Sequence, residues 1–283
     1  MLRWTCCLCT EGQVVHTLPE GPTVLGVTTL GEQVYVLREK ERDQVEVYDA
    51  ITYCLQRCLT VPNAREFIDM ISCEHSLCLY ISDPGDECIH SVGLRGNATK
   101  WPVSDYPHGL SVNAAHNVLV TCRFFRKIKE FSPRGDLLRD VTLPDDVINP
   151  FHAIQLASGQ FIVCHGRRKD PVHRVCTVSA DGHEIVRSHG GQPGSDTGQY
   201  DVPSHLAVDN NEFVFVADIF NRRVTLLSPT LDYIRQVVSR DQVKWWPYRL
   251  CLDVQRRRLY VTVIEWSDEF DQFTAARVVV FSV

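Results

Sequence analysis

Residues 199–229 read QYDVPSHLAVDNNEFVFVADIFNRRVTLLSP, and this stretch guides the interpretation of the whole chain. Three short apolar runs occupy residues 205–208, 213–217 and 224–227. An Asp-Asn-Asn turn separates the first two runs, and residues 218–223 separate the second from the third. Runs of four or five residues that are rich in Val, Leu and Phe and broken by such turns predict consecutive antiparallel strands.

The same unit recurs along the chain. A proline precedes an apolar run at six places, spaced by 40 to 53 residues: Pro22, Pro62, Pro107, Pro150, Pro203 and Pro247. A period of about 40–45 residues with several short strands in each repeat is typical of β-propeller blades. We therefore predict an all-β, six-bladed propeller with four antiparallel strands in each blade.

The ends of the chain indicate how the ring closes. Residues 12–19 carry the apolar pattern of an outer strand, whereas the C-terminus stops after a third strand. Pairing the first and last blades in one sheet removes two exposed edges. We therefore expect residues 13–18 to complete blade 6, and deletion of residues 1–20 to destabilise the ring.

These expectations divide the chain into one propeller domain, residues 11–283, and an unassigned segment, residues 1–10. The expected blades are about 22–61, 62–103, 104–144, 145–191 and 199–240, followed by 245–283 together with 13–18.

Composition narrows the class of protein. The 283 residues carry a net charge of −6 and are 44% hydrophobic. This charge argues against indiscriminate binding to nucleic acid or anionic membranes, although it leaves room for a local basic patch. No apolar run reaches the length of a membrane-spanning helix, and the first 15 residues lack a signal-peptide core. We expect a monomeric cytoplasmic protein without membrane insertion.

The twelve cysteines favour reduced thiols over a metal site or disulfides. The pairs Cys54/Cys58 and Cys73/Cys78 do not make the two Cys-x-x-Cys motifs of a zinc site. A glycosylation sequon at residues 97–99 leaves open a secreted, disulfide-bonded protein. We expect reduced structural cysteines and no cofactor.

One family resemblance is carried by residues 190–209, which read GGQPGSDTGQYDVPSHLAVD, by Val216-Ala-Asp218 and by Asn221-Arg-Arg-Val224. These segments resemble an NHL repeat, whose usual spelling is similar to P-x-G-(I/L)-A-V-D, (I/V)-Y-V-A-D and N-x-R-(I/V). The chain looks most like the propellers at the C-terminus of tripartite-motif proteins. Those proteins usually carry a zinc-binding ubiquitin-ligase module, which Cys6, Cys7 and Cys9 cannot form. The resemblance implies an interaction propeller, and some similar propellers bind RNA.

Charged loops are expected at one end of the ring, because alternate connections of an antiparallel meander lie at the same end of the sheet. The candidate binding residues on this face come from blades 3, 4 and 5: Arg123, Phe124, Arg126, Lys127, Arg167, Arg168, Lys169, Arg222 and Arg223. The corresponding loops across the ring are acidic: Asp83, Asp86, Glu87, Glu265, Asp268, Glu269 and Asp271. We predict an electrically split face that binds a protein partner without catalysis.

Two alternatives remain open for these cations. Rings interleaved with cations, as at residues 123–127, suit base stacking beside phosphate contacts and favour RNA binding. Alternatively, Arg223 and Lys127 occupy the recurring Arg position of the repeat, which commonly serves packing and ion pairing.

Three histidines at the entries of inner strands raise a further alternative, a metal-dependent lyase or hydrolase at the channel mouth. His108, His152 and His205 each follow shortly after a proline, in a pattern that resembles the peptide-amidating lyase. His205 lies one residue closer to the following Leu than His108 does, so its side chain is expected to point to the other face of the strand. We therefore expect no catalytic residue, no metal and no enzyme.

Overall fold

The computed structural model describes residues 11–39, 44–61, 65–267 and 272–283. Within these ranges the strands form six four-stranded antiparallel sheets, so the predicted six-bladed propeller is confirmed. The N-terminal segment 1–10 lies outside the described residues.

The strands follow one another around the ring after β1 (Gln13–Thr17). Blade 1 contains β2 (Val24–Leu30), β3 (Gln33–Arg38), β4 (Gln44–Asp49) and β5 (Leu55–Thr60). Blade 2 contains β6 (Asp69–Cys73), β7 (Cys78–Asp83), β8 (Cys88–Gly93) and β9 (Ala98–Pro102). Blade 3 contains β10 (Pro107–Val112), β11 (Val118–Cys122), β12 (Lys127–Phe131) and β13 (Leu137–Thr142).

The second half of the ring has the same order. Blade 4 contains β14 (Pro150–Gln155), β15 (Phe161–His165), β16 (His173–Val178) and β17 (Ile185–Gly191). Blade 5 contains β18 (Pro203–Val208), β19 (Val214–Asp218), β20 (Arg223–Leu227) and β21 (Tyr233–Val238). Blade 6 contains β22 (Trp246–Asp253), β23 (Arg258–Ser267) and β24 (Gln272–Ser282).

Strand β1 closes the ring as predicted. The sheet of blade 6 has the order β1-β24-β23-β22, with Gln13 opposite Ser282 and Thr17 opposite Val279. Leu18, just beyond β1, is buried in an apolar cluster with Val24 of blade 1 and Val278 of blade 6. The N-terminal strand therefore stabilises both the last blade and its contact with the first.

The apolar core consists of layers between adjacent blades. The cluster containing Val45 and Leu79, for example, joins blades 1 and 2, and a cluster in the described residues lies at each of the other five interfaces. The outer strands β5 and β13 are largely exposed because each lies at the outer edge of its sheet and pairs with one strand, the third of its blade.

The turns between the second and third strands of blades 3 and 5 have the same geometry. Arg126 and Arg222 both have φ of 53°, in the left-handed region, directly before the third strand. In blade 3 the turn also contains a short 3₁₀ helix, Arg123–Phe125. Residues 122–133 and 218–229 can be aligned in the sequence without a gap, both ending in Ser-Pro, and this shared hairpin accounts for their similarity.

The pairing between the first and second strands of a blade shifts in register near the start of the first strand, which is the strand nearest the propeller axis. This shift aligns one layer of residues around the axis. The shift follows Pro107, Pro150, Pro203 and Pro247, and a similar one follows Val24 in blade 1. Each residue of this layer, here called the inner layer, pairs with the penultimate residue of its blade's second strand or the equivalent position. Its members are Gly26, Asp69, Gly109, His152, His205 and Arg249.

Candidate functional site

Four polar side chains of the inner layer contact one another. Asp69 Oδ1 lies 3.2 Å from Arg249 Nε, and Asp69 Oδ2 lies 3.6 Å from His205 Nε2. The rings of His205 and His152 stack with centroids 3.8 Å apart. All four side chains are buried. The layer therefore holds one buried ion pair extended by two imidazoles.

The ionisation of this cluster follows from its burial. Burial disfavours the carboxylate of Asp69, but the charge of Arg249 and the hydrogen bond from His205 outweigh this effect and lower the pKa of Asp69. Burial lowers the pKa of both His152 and His205, most strongly that of His152. The cluster is thus an Asp–Arg ion pair beside two neutral imidazoles at neutral pH.

Hydrogen bonds occupy the nitrogens of both stacked histidines. His152 Nε2–H donates to the Leu110 carbonyl at 2.8 Å, and its Nδ1 accepts the Leu206 N–H at 3.4 Å. His205 Nδ1 accepts the Leu250 N–H at 3.3 Å, which directs Nε2–H towards Asp69. Although donor atoms of Asp69, His152 and His205 lie within 4.8 Å of one another, a metal ion would have to displace these bonds. The adjacent Arg249 also opposes a second cation.

His108 lies one position before the inner layer, because Gly109 is the counterpart of His152 and His205. His108 Nδ1 bonds the Phe151 carbonyl at 3.1 Å, and burial, with the charges of Arg249 and Arg123, lowers the pKa of His108 to about 3. The structure thus brings together two of the three predicted histidines and places the third in a different register, as the spacing to the following Leu indicates.

Sequence analysis missed Asp69 and Arg249. Arg249 follows Pro247 by two residues, just as His152 follows Pro150 and His205 follows Pro203, so this spacing could have identified it. Asp69 could not be found in this way, because it lies seven residues after its proline, Pro62.

Cations on the predicted binding face contact aromatic rings of the following blade. The guanidinium carbon of Arg123 in blade 3 lies 4.0 Å from the ring centroid of Phe151 in blade 4. Arg168 in blade 4 lies 4.8 Å from Phe220 in blade 5, and Arg222 in blade 5 lies 5.0 Å from Trp246 in blade 6. We call these six residues the cation–aromatic arc. It spans four consecutive blades and stabilises their loops against one another.

Arg123 is the most enclosed cation of this arc. Its Nε is buried and has no hydrogen-bond partner among the described residues. Burial lowers the pKa of Arg123, and the charge of the nearby Arg167 acts in the same direction. The charge of Asp170, whose carboxylate accepts the backbone N–H of Arg167 at 2.7 Å, acts in the opposite direction.

Some predicted binding residues are occupied by the propeller itself. Arg223 pairs with Asp218 at 2.8 Å and donates to the Gln199 carbonyl at 2.6 Å, and its side chain is only 13% exposed. Lys127 lies between Asp105 and Asp140, at 3.2 and 3.4 Å. These contacts favour the packing interpretation for both residues.

Arg126 is also paired, at 2.6 Å, with the largely exposed Asp145.

Other predicted residues remain accessible. Arg167, Arg168 and Lys169 are exposed, and within the described ranges the side chains of Arg167 and Lys169 make no hydrogen bond or ion pair. In the preceding blade, Phe124 is 54% exposed and Phe125 is 51% exposed. An accessible face combining cations and aromatic rings is thus present over blades 3 to 5.

The acidic half of the face differs from the prediction. Asp83 is fully buried and contributes no surface carboxylate, so its predicted place on this face is wrong. Its carboxylate instead accepts backbone N–H groups of Arg65 and Glu66, which fold over the turn. Asp86 is neutralised by Arg65 and Lys100, at 3.1 and 2.7 Å.

Of the other predicted acidic residues, Glu87 is exposed, whereas Asp268, Glu269 and Asp271 lie outside the described residues.

Comparisons with known proteins identify the fold class. No protein-family model matches the chain, and no curated protein matches its sequence. Among solved structures, virginiamycin B lyase from Staphylococcus aureus aligns with a TM-score of 0.61 and 9% identity, covering 92% of this chain and 95% of the lyase. Kuenenia stuttgartiensis hydrazine synthase aligns with a TM-score of 0.62 and 13% identity, covering 94% and 96%.

A chain of the nidogen/laminin complex aligns with a TM-score of 0.61 and 13% identity, covering 81% of this chain and 84% of that one. At such identities the likeness shows a shared six-bladed propeller fold. In the described part of the chain, no helix has the length and apolar character needed to cross a lipid bilayer.

One expectation is corrected by these comparisons. The register of His205 and the resemblance to interaction propellers led us to predict that the protein is not an enzyme. Virginiamycin B lyase, an enzyme, shares the fold over 92% of this chain. The prediction is therefore wrong, because the architecture from which an interaction role was inferred also carries active sites.

Proposed function

We propose that the protein is an interaction propeller that binds an acidic segment of a protein partner through the cation–aromatic arc and its neighbours Arg167 and Lys169. The observation that carries this proposal is the combination of unpaired, exposed cations with exposed phenylalanine rings over blades 3 to 5. Aromatic and arginine side chains are the groups most often responsible for affinity at protein interfaces.

The cation–aromatic arc also provides a rigid surface. Since Arg123, Arg168 and Arg222 are already stacked on rings of the next blade, little side-chain entropy remains to be lost when a partner binds. An acidic segment would gain electrostatic steering from the unpaired cations and apolar contact from Phe124 and Phe125.

The cellular setting that we propose is the cytoplasm, with the propeller monomeric and related to NHL-type propellers. All nine cysteines in the described residues are free thiols, which suits a reducing compartment. The NHL-like segments of blade 5 are the basis for the proposed relationship.

Charge reversal tests the proposal. The double variant Arg167→Glu/Lys169→Glu should bind a fluorescein-labelled peptide of alternating Glu and Phe at least tenfold more weakly than the unsubstituted protein. The matched control is Arg95→Glu/Arg134→Glu, which makes the same charge change on exposed loops between third and fourth strands, at the opposite end of the ring. Fluorescence anisotropy at two salt concentrations measures both. Equal weakening by the two variants would show that only net charge matters and would contradict the proposal.

RNA binding is the second candidate, favoured by the exposed rings of Phe124 and Phe125 beside Arg126. Such rings accept stacked bases while neighbouring cations contact phosphates. A labelled single-stranded RNA in the same anisotropy assay distinguishes the two candidates. If the protein bound RNA but not the peptide, and both Phe124→Ala and Arg167→Glu/Lys169→Glu weakened RNA binding, RNA would be the partner instead of a protein.

A further inference from the structure

Blade 2 contains a second cluster of reactive side chains, apart from both the inner layer and the cation–aromatic arc. Asp83 ends β7, and Cys88 and His90 lie on one face of β8, two residues apart. The three residues are 0%, 3% and 2% exposed, and one ligand atom from each lies within 4.8 Å of the other two.

The contacts of this cluster meet at a single ring nitrogen. His90 Nε2 lies 3.0 Å from Asp83 Oδ2 and 3.5 Å from Cys88 Sγ. In a nucleophilic relay the carboxylate and the thiol contact opposite nitrogens of the imidazole, so that the ring can pass a proton between them. Convergence of three donor atoms on one point is instead the arrangement of ligands around a metal ion.

Charge at this position supports a cation. The corresponding ends of the second strands in blades 1 and 5 carry paired charges, Arg38 with Glu46 at 2.6 Å and Asp218 with Arg223 at 2.8 Å. In blade 2, no Lys or Arg within the described ranges pairs with Asp83, whose only ion-pair partner is His90. A cation beside Asp83 would therefore meet no competing Lys or Arg, and it would offset part of the cost of burying the carboxylate.

We propose that Asp83 Oδ2, Cys88 Sγ and His90 Nε2 bind one divalent cation of the zinc class. Zinc bond lengths and a tetrahedral angle place N and O donors about 3.4 Å apart and N and S donors about 3.6 Å apart. The observed separations from His90 Nε2, 3.0 and 3.5 Å, differ from these values by a few tenths of an ångström, and the third separation, between Asp83 and Cys88, is at most 4.8 Å. Binding releases the thiol proton to solvent and requires the imidazole of His90 to carry its proton on Nδ1, so that Nε2 offers its lone pair; the thiolate and carboxylate then balance the dication. A water molecule would supply the fourth ligand.

The surrounding turn orients the carboxylate ligand. Arg65 N–H donates to Asp83 Oδ2 at 3.0 Å, while Glu66 N–H and Asp86 N–H donate to Oδ1 at 3.1 and 3.2 Å. A Cβ at Gly85 would lie 3.0 Å from Arg65 Cβ, so the glycine permits this close approach. Such outer hydrogen bonds are typical of ligands held in place before the metal binds.

Cobalt substitution tests the site on the full chain. Protein refolded with Co²⁺ should bind it and show thiolate-to-cobalt charge-transfer absorption, which Zn²⁺ then abolishes by displacing the cobalt. Cys88→Ser should remove the absorption and weaken zinc binding at least tenfold. The matched control is Cys122→Ser, since Cys122 is a buried cysteine in blade 3, at the end of the second strand where blade 2 has Asp83, and its substitution should leave the absorption unchanged.

X-ray absorption at the zinc edge of the unsubstituted protein keeps the proposal testable even if Cys88→Ser fails to fold. We expect one sulphur and three nitrogen or oxygen ligands, and a fall in Tm of about 5 °C when a chelator removes the zinc. Folded protein without the cobalt absorption, absorption that persists in Cys88→Ser, or a zinc shell with several sulphurs would each overturn the proposal.

Discussion

His165 shows how burial determines the protonation state of a single residue. It ends β15 and is fully buried, and its Nε2 accepts the Nε–H of Arg174 at 2.9 Å. Because a protonated imidazole has no free lone pair, this bond exists only with a neutral ring. Burial, with the charge of Arg174, lowers the pKa of His165 to about 3.

The lowered pKa predicts a loss of stability in acid. The unfolded chain binds a proton near pH 6.5, so the contribution of His165 is complete above that pH and declines as the pH falls towards 3. The test is His165→Gln, whose amide oxygen can still accept from Arg174. Between pH 7.5 and 5.5, the fall in the free energy of unfolding should be about 1.4 kcal/mol smaller in this variant than in the unsubstituted protein. Urea denaturation at both pH values measures this difference. The exposed control His183→Gln should keep the pH dependence of the unsubstituted protein. If His165→Gln also kept it, the prediction would be contradicted.

Individual residues also show why the candidate site could be predicted only in part from the sequence. The sequence shows that Arg223, Lys127 and Arg167 occupy loops at one end of the ring, because loop position follows from strand order. It cannot show that Asp218 and Asp105 neutralise the first two, because these pairings depend on side-chain geometry. Asp83 illustrates the limit, since an Asp-Pro-Gly-Asp turn is typically exposed and here folds beneath a neighbouring loop.

At the scale of elements, strand existence was predictable and strand register was not. Apolar runs and Asn/Asp turns identify β18 to β20 directly. The apolar pattern does not show the one-residue shift that follows Pro107, Pro150 and Pro203 and decides which side chains of these blades enter the inner layer. Arg249 could have been identified by the same spacing from its proline, whereas Asp69 could not, because the first strand of blade 2 has no such shift and begins seven residues after Pro62.

Glycine at position 109 of the inner layer is required by this packing between strands. A Cβ there would lie 2.3 Å from the Phe151 carbonyl oxygen of β14 and 3.0 Å from His152 Cδ2. Gly109→Ala should therefore lower the free energy of unfolding by about 2 kcal/mol, measured by urea denaturation. The matched control is Gly191→Ala, because a Cβ at Gly191 meets no atom within 4 Å. If the two variants were equally stable, β14 would have moved away from the added methyl group without loss of stability, which would contradict the prediction.

For the whole molecule, the number of blades and the closure of the ring could be predicted from the sequence. The blades repeat one pattern along the chain, and the N-terminal strand completes the pattern of the last blade.

Removal of residues 1–20 tests the closure. It deletes β1 and Leu18, leaves β24 with an unpaired edge and removes the Pro19 carbonyl that accepts from the buried Arg38. We expect Tm to fall by more than about 10 °C, measured by circular dichroism. The control Val15→Ala, at an exposed position of β1, should unfold within about 2 °C of the original protein. A near-native Tm for the deletion would contradict the closure.

The pairing of β1 with β24 also has a consequence for biosynthesis. Strand β1 leaves the ribosome before its partner has been translated, and Gln13 can meet Ser282 only after residue 282 has emerged. Until then the nascent propeller presents β1 as an unpaired strand and blade 6 as an incomplete sheet. Chaperones that shield strand edges should consequently matter more during translation of this protein than after its release.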